Sequence, residues 1–326
     1  LLHAFEGGIW DRNRTDDRAA GDVYHEQHDL GTGFELFAYL PNAVMPRLYE
    51  MTYGDYQQYL VDGPIAVSDV YIDNGGTFEW RTVAMVGMRR GGRGYVALDI
   101  TQPDPLDANN VPSVPVTDHF PGCLNGGAGC DGVYPKVLWE YQDTTDSEPN
   151  CPGASCEPYW DLGWTWSKPA IARIGVYNAS GTPDDEFVAF FGGGWSRGQV
   201  LNDNGTPSVP GDDYLVDQTG RHFYAVNLTT GVLIKKWFMG EYGVPGSPTA
   251  LDSDIDGYHD RIYFGDTNGT IWRLSYPDPT DVAAIGVDLG VGHVPERLFD
   301  FRTDFPDRQQ FFTRPVTVPA LFGASG

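Results

Sequence analysis

The chain has 326 residues, enough for a large core and for one repeat domain or two ordinary domains. Hydrophobic residues make up 41% and aromatics 13%, which excludes a disordered acidic chain, and 41 glycines with 24 prolines suit many short strands joined by turns. A formal net charge of -24 argues against nucleic acid and anionic lipid as partners, because both need a basic surface, and no run approaches the ~18 apolar residues of a membrane span.

The chain opens on LLHAFEGG, which lacks the basic n-region of a signal peptide and reads as the interior of a domain. The expectation is a fragment. LLHAF at 1–5 matches the third strand of a repeat that continues further on. His25 and His28 in YHEQH offer two metal ligands, but H-x2-H alone reads as a solvated loop, and HEQH is one residue short of the H-E-x-x-H zinc-protease motif.

The first full repeat begins at Pro64 with PIAVSDV. TVAMVG at 82–87 and GYVALDI at 94–100 follow as strands, joined by the basic turn GMRRGGRG, whose Arg89, Arg90 and Arg93 offer charge to an acidic partner. KVLWEY at 136–141 closes the unit. The second repeat runs PAIARIG from Pro169, FVAFFG at 187–192, HFYAVN at 222–227 and LIKKWF at 233–238. The third runs PTALDSD from Pro248, RIYFG at 261–265, TIWRL at 270–274 and RLFDF at 297–301. PVTVPAL from Pro315 opens another unit.

Four strands per unit, repeated with turns rich in Gly, Asn and Asp, predict an all-β fold, a β-propeller. Its full blades are expected at about 64–141, 169–238 and 248–301, with partial blades at 1–5 and 315–326. The 326 residues then form a single propeller domain truncated at both ends, a fragment of the ring. The intervals between opening prolines exceed the about 40–50 residues of a bare blade. The excess falls in insertions at about 101–135, 142–166 and 198–220. A β-sandwich is the alternative, but it does not demand the same four-strand order three times.

All four cysteines lie in these insertions: Cys123 and Cys130 in CLNGGAGC, Cys151 and Cys156 in CPGASC. Three pairings are allowed. Local disulfides, Cys123–Cys130 and Cys151–Cys156, are expected over a zinc site, because neither pair has the C-x2-C spacing common in zinc sites. Disulfides imply an oxidising compartment. Five N-x-S/T sequons, at Asn13, Asn178, Asn204, Asn227 and Asn268, read as turn asparagines, and Asp266-Thr-Asn-Gly269 as a tight hairpin. LNDNGTPSVPGDD at 201–213 has several oxygen ligands without fixed spacing.

One stretch has no counterpart in the other repeats. DSDIDGYHD crowds Asp252, Asp254, Asp256 and Asp260 into nine residues. The positions matching Asp252 are Ser68 and Arg173, so the repeat does not need an acid there. Hard oxygen ligands at every second residue are what calcium takes from a tight loop. The expected ligands are Asp252, Asp254, Asp256, the carbonyl of Tyr258, and Asp260, with Gly257 allowing the sharp turn. Position 12 is Tyr263 and not the bidentate Glu of an EF-hand, and strands flank the loop on both sides. Magnesium fits less well because it prefers smaller, water-rich octahedra. No G-x-S-x-G, P-loop or dinucleotide fingerprint is present, so the expectation is a protein that is not an enzyme.

The segments GFELFAYLPNAVMPRL, YLVDGPIAVSDVYI, WRTVAMVGMRRGGRGYVALDIT, VLWEY, DLGWTWSKPAIARI and SPTALDSDIDGYHDRIYFGDTNGTIWRL resemble the C-terminal propeller of the PilC/PilY family of type IV pilus tip-associated adhesins and assembly factors. The resemblance implies a modified quinoprotein-like propeller with a calcium loop at Asp252, Asp254, Asp256, Tyr258 and Asp260. It also implies a role in pilus biogenesis and in control of extension and retraction, hence twitching motility. It further implies a seat on minor pilins at the fibre tip, reached through the periplasm, and contact with host or abiotic surfaces through an N-terminal region outside this chain. The rival readings are a generic calcium-stabilised surface propeller and a quinone-dependent dehydrogenase. The dehydrogenase class often carries a vicinal Cys-Cys pair, which this sequence lacks.

Overall fold

Strands that alternate through the sequence close into separate small sheets in a computed structural model. It describes residues 2–5, 35–48, 59–73, 76–101, 135–142, 161–177, 183–196, 199–202, 214–217, 219–276, 293–300 and 310–316. The chain divides into two compact units, 1–41 with 100–136, and 42–99 with 137–326. In the first unit, β1 (Leu2–Phe5) pairs antiparallel with β2 (Glu35–Tyr39), with a bulge between Ala4 and Phe5. Repeat matching assigns no element to 35–39.

The second unit holds three antiparallel four-stranded sheets. The first is β3 (Ile65–Asp73), β4 (Phe78–Gly87), β5 (Gly94–Asp99) and β6 (Lys136–Gln142), in that order. The second is β7 (Ala170–Tyr177), β8 (Pro183–Gly192), β11 (His222–Asn227) and β12 (Leu233–Phe238). Between its second and third strands a separate hairpin forms from β9 (Gln199–Asn202) and β10 (Tyr214–Asp217), so the predicted insertion at 198–220 carries structure of its own. The third sheet is β13 (Thr249–Leu251), β14 (Arg261–Gly265), β15 (Thr270–Ser275) and β16 (Glu296–Asp300).

The sheets differ from the sequence pattern at their outer ends. β4 starts at Phe78, four residues before the apolar run, because the β3–β4 hairpin is prolonged by cross-strand pairs such as Tyr71 with Trp80, whose rings lie 5.5 Å apart. In the third sheet the same hairpin is cut to three residue pairs, and the Asp-rich loop takes its place. Pro315 and Val316 form no strand, and the rest of the predicted strand there lies outside the described residues, as do all four cysteines, His25 and His28. Asn268 sits in a turn, and Asn227, the last residue of β11, caps the turn that follows it. Asn227 Oδ1 accepts the N–H groups of Thr229 and Thr230 at 3.0 and 2.9 Å.

A solvated sheet alternates apolar and polar residues, whereas a sheet covered on both faces reads apolar throughout. β8 is of the second kind: Phe187, Val188, Ala189, Phe190 and Phe191 are all buried. Phe187, Ala189 and Phe191 join Val83, Met85, Tyr95 and Trp139 of the first sheet in one core. Val188 and Phe190 face the other way, into a second core with Ile262, Phe264 and Leu274 of the third sheet. Phe223 stacks on Phe264 with ring centroids 3.7 Å apart. Each buried phenylalanine contributes about 1.5–3 kcal/mol of apolar transfer.

Polar groups stitch the same interfaces. The Tyr95 hydroxyl reaches the carbonyls of Gly192 and Ser167, at 2.9 and 3.2 Å. Trp139 Nε1 donates to the Leu228 carbonyl at 2.7 Å. Ser167 Oγ donates to the Gly246 carbonyl and accepts the Gly192 N–H. Gly192 must be glycine, since a Cβ there would lie 1.9 Å from the Val244 carbonyl oxygen. Residues 161–166, placed in an insertion by the sequence pattern, are lining instead: Asp161, Leu162 and Thr165 are fully buried. Two arginines of the basic turn after β4 meet aromatic rings within the chain. Arg89 stacks 4.0 Å over Trp166 and Arg90 lies 5.2 Å from the Tyr59 ring centroid.

Candidate metal site

The Asp-rich loop, 252–260, joins β13 to β14 and is closed at its base by the Asp260 N–H on the Leu251 carbonyl at 3.0 Å. Asp252 is its hub. One of its oxygens accepts the N–H of Ile255 at 2.7 Å and of Asp256 at 3.2 Å, and the other accepts the N–H of Gly257 at 2.8 Å. That wrapping forces two residues into left-handed backbone, Gly257 at φ 96° and Ile255 at φ 67°. Glycine takes such a φ without cost, and isoleucine rarely does.

The structure brings three of the predicted ligands together. Among the described residues, Asp252, Asp254 and Asp256 form a group whose ligand oxygens all lie within 4.8 Å of one another. Two oxygens on opposite sides of a calcium ion, each at about 2.4 Å, are separated by about 4.8 Å. The donor set is all hard oxygen, and a spacing of up to 4.8 Å admits that ion. The other two predicted ligands have further partners. Asp260 accepts the Ser253 N–H at 2.9 Å and the Ser253 hydroxyl, and pairs with Arg261 at 3.2 Å. Tyr258 donates its N–H to Asp256 Oδ1 at 2.8 Å, while its ring lies under Arg173.

The electrostatics of the loop are split. Slight burial pushes the Asp252 carboxyl up, but the backbone N–H groups of Gly257, Ile255 and Asp256 outweigh it and hold it below the usual carboxylate range. Asp254 moves the other way: desolvation, then the Asp256 charge and the hydrogen bond with Asp252, push it above that range. Carboxylates this close resist full ionisation together, which a divalent ion would relieve.

Beyond the loop's own residues, Arg173, Asp266, Asp217 and Asp161 make polar contacts that the sequence pattern does not show. Arg173 of β7 touches the loop from the neighbouring sheet, and only the fold brings it there. Asp266 is buried, accepting the N–H groups of Asn268 and Thr270 at 2.9 Å each and the Trp272 indole N–H at 2.8 Å. Asp217 ties the inserted hairpin to the third repeat, accepting the Gly243 N–H at 2.7 Å and the Thr267 hydroxyl at 2.6 Å. Buried Asp161 meets His222 Nδ1 at 2.5 Å, a pair that offers two ligand groups.

A chain of stacked four-stranded antiparallel sheets, each apolar face covered by the next, is a β-propeller. It belongs to the PilY1 β-propeller family, whose model, described as "PilY1 beta-propeller domain", matches residues 37–284. Among curated relatives, the type IV pilus biogenesis factor PilY1 of Pseudomonas aeruginosa strain UCBPP-PA14 is 30% identical over 316 residues, covering 89% of this chain and 20% of that protein. A type IV pilus biogenesis factor PilY1 homolog of Xylella fastidiosa is 29% identical over 274 residues, covering 79% and 14%. The crystal structure of the Pseudomonas aeruginosa PilY1 C-terminal domain aligns with a TM-score of 0.42 at 25% identity, covering 78% of this chain and 38% of that one. The chain therefore spans about a fifth or less of the length of these curated relatives.

Proposed function

We propose that the chain is a non-enzymatic, calcium-binding propeller of a type IV pilus biogenesis factor. It acts at the cell surface in pilus assembly, in control of extension and retraction, and in adhesion. Minor pilins at the fibre tip are its proposed partners. The observation that carries the reading is the convergence of Asp252, Asp254 and Asp256 to within 4.8 Å in a chain of this family.

The proposed ligands are those three carboxylates, with the Tyr258 carbonyl and Asp260 completing the set. A bound calcium supplies the positive charge that offsets repulsion among them. Asp252 holds the loop's shape through its three N–H acceptor contacts, and Asp256 orients Tyr258. Without the ion, repulsion frays the loop and loosens the edge of the third sheet, and with it a docking surface for tip partners.

The test is a calorimetric calcium titration of this chain beside an Asp252→Ala/Asp256→Ala double variant, paired with pilus counts in bacteria carrying each. One site in the original, none in the variant, and altered piliation are expected. Calcium binding with piliation indifferent to the variant would leave a generic calcium-stabilised surface propeller. No binding to folded, metal-stripped chain would remove the calcium. An ultraviolet–visible scan for bound quinone separates this reading from a dehydrogenase.

A further inference from the structure

β7 is the edge strand of the second sheet, so the outward N–H and C=O of its residues need partners from elsewhere. At Arg173 both are met by one residue of the Asp-rich loop. The His259 N–H donates to the Arg173 carbonyl at 2.8 Å, and the Arg173 N–H donates to His259 Nδ1 at 3.2 Å. The Arg173 side chain then reaches over the loop. Its Cζ lies 4.4 Å from the Tyr258 ring centroid, and Nη2 donates to the Tyr258 hydroxyl at 3.3 Å. Tyr258 and His259 stand between the clustered carboxylates and Asp260. The loop's shape and its grip on the second sheet are therefore one arrangement.

From this we infer that Arg173 is a positioning residue for the cation loop, and that the loop is a cation-dependent latch between the second and third sheets. The inference rests on the calcium reading above. Its sign follows from the neighbours of Arg173. A guanidinium near a bound cation would oppose binding if its charge were free, but Asp185 Oδ2 sits 2.5 Å from Arg173 Nε and balances it. The contacts to Tyr258 then decide: its ring and hydroxyl contacts go with the Arg173 side chain, while the two backbone-edge bonds to His259 remain in Arg173→Ala. Coupling of this kind is reciprocal, so whatever Arg173 adds to cation affinity, the cation adds to the grip on β7.

The experiment is calcium calorimetry on the full 326-residue chain, Arg173→Ala, Tyr258→Ala and the double variant, with amide hydrogen exchange with and without calcium. Each single variant is expected to weaken calcium binding about five- to tenfold, the low end of typical couplings, and the double variant no more than the stronger single one. Calcium should slow exchange at the Arg173 and His259 amides of the original chain, and not in Asp252→Ala/Asp256→Ala. Tyr258→Ala trims a half-buried loop side chain and leaves every strand residue in place, so it reports even if Arg173→Ala misfolds. Equal affinities with calcium-blind exchange at Arg173 would overturn the latch alone, leaving the calcium site standing. Tighter binding by Arg173→Ala would show that charge repulsion governs, and would also overturn it. An original chain that binds no calcium would take down both readings.

Discussion

Asp266 accepts the indole N–H of Trp272 at 2.8 Å while its second oxygen holds the N–H groups of Asn268 and Thr270. Three donors meet one buried carboxylate. Asparagine is nearly isosteric but must turn an NH2 toward one of these donors, so Asp266→Asn is expected to cost about 1–3 kcal/mol. Urea unfolding measures it, and an unchanged midpoint would refute it.

The same residue predicts a pH dependence. Burial pushes the Asp266 carboxyl above its usual range, against the pull of its hydrogen-bond donors. Between the ordinary aspartate value of about 4 and the raised one, the folded chain binds more protons than the unfolded chain. The contribution of Asp266 is therefore full below about pH 4 and is lost as pH rises through the folded value. The stability advantage of the original chain over Asp266→Asn should shrink along that rise. An advantage that grows instead would mean that the donors outweigh burial.

Calcium should stabilise the chain by mass action. At about 100 times its dissociation constant the gain is about 2.7 kcal/mol, and Asp252→Ala/Asp256→Ala should show none. Thermal melts across a calcium series read this directly. Magnesium at equal concentration should give a smaller shift, because that ion prefers a smaller, water-rich octahedron.

Ile255 is 89% exposed and holds φ 67°, so it gives up little burial and bears a left-handed backbone. Ile255→Asn should stabilise the calcium-free chain by about 0.5–1 kcal/mol, since asparagine tolerates that conformation. A lower urea midpoint for the variant would contradict this account of the loop.

Phe191 packs against Tyr95 at 4.2 Å and Tyr224 at 5.4 Å between ring centroids, in the core shared by the first two sheets. Phe191→Ala should cost about 3–5 kcal/mol. The exposed Val232→Ala serves as the control and should stay within about 0.5 kcal/mol. Similar losses for both would mean that the two-faced burial of β8 does not hold the sheets together.

Periodicity and turn chemistry were enough to find twelve strands in three sheets, because apolar runs bounded by Gly, Asn and Asp are local signals. The acidic loop was equally legible, since carboxylates at alternate residues of one turn need no distant partner to be recognised. What the sequence could not display was contact across the repeats. Nothing in PAIARIG marks Arg173 as the seat of a loop that begins 79 residues later at Asp252, because that contact exists only once β7 becomes an open edge beside β13. Asp266 read as an ordinary hairpin residue, and only burial against Trp272 made it a hub. The stretch 161–166 looked like loop because its Gly and Trp residues carry no period, yet the gap between the first two sheets is what it fills. Local pattern therefore determined the strands and the crowding of carboxylates into one turn, while packing of one sheet on the next decided which polar groups lost water and had to find each other.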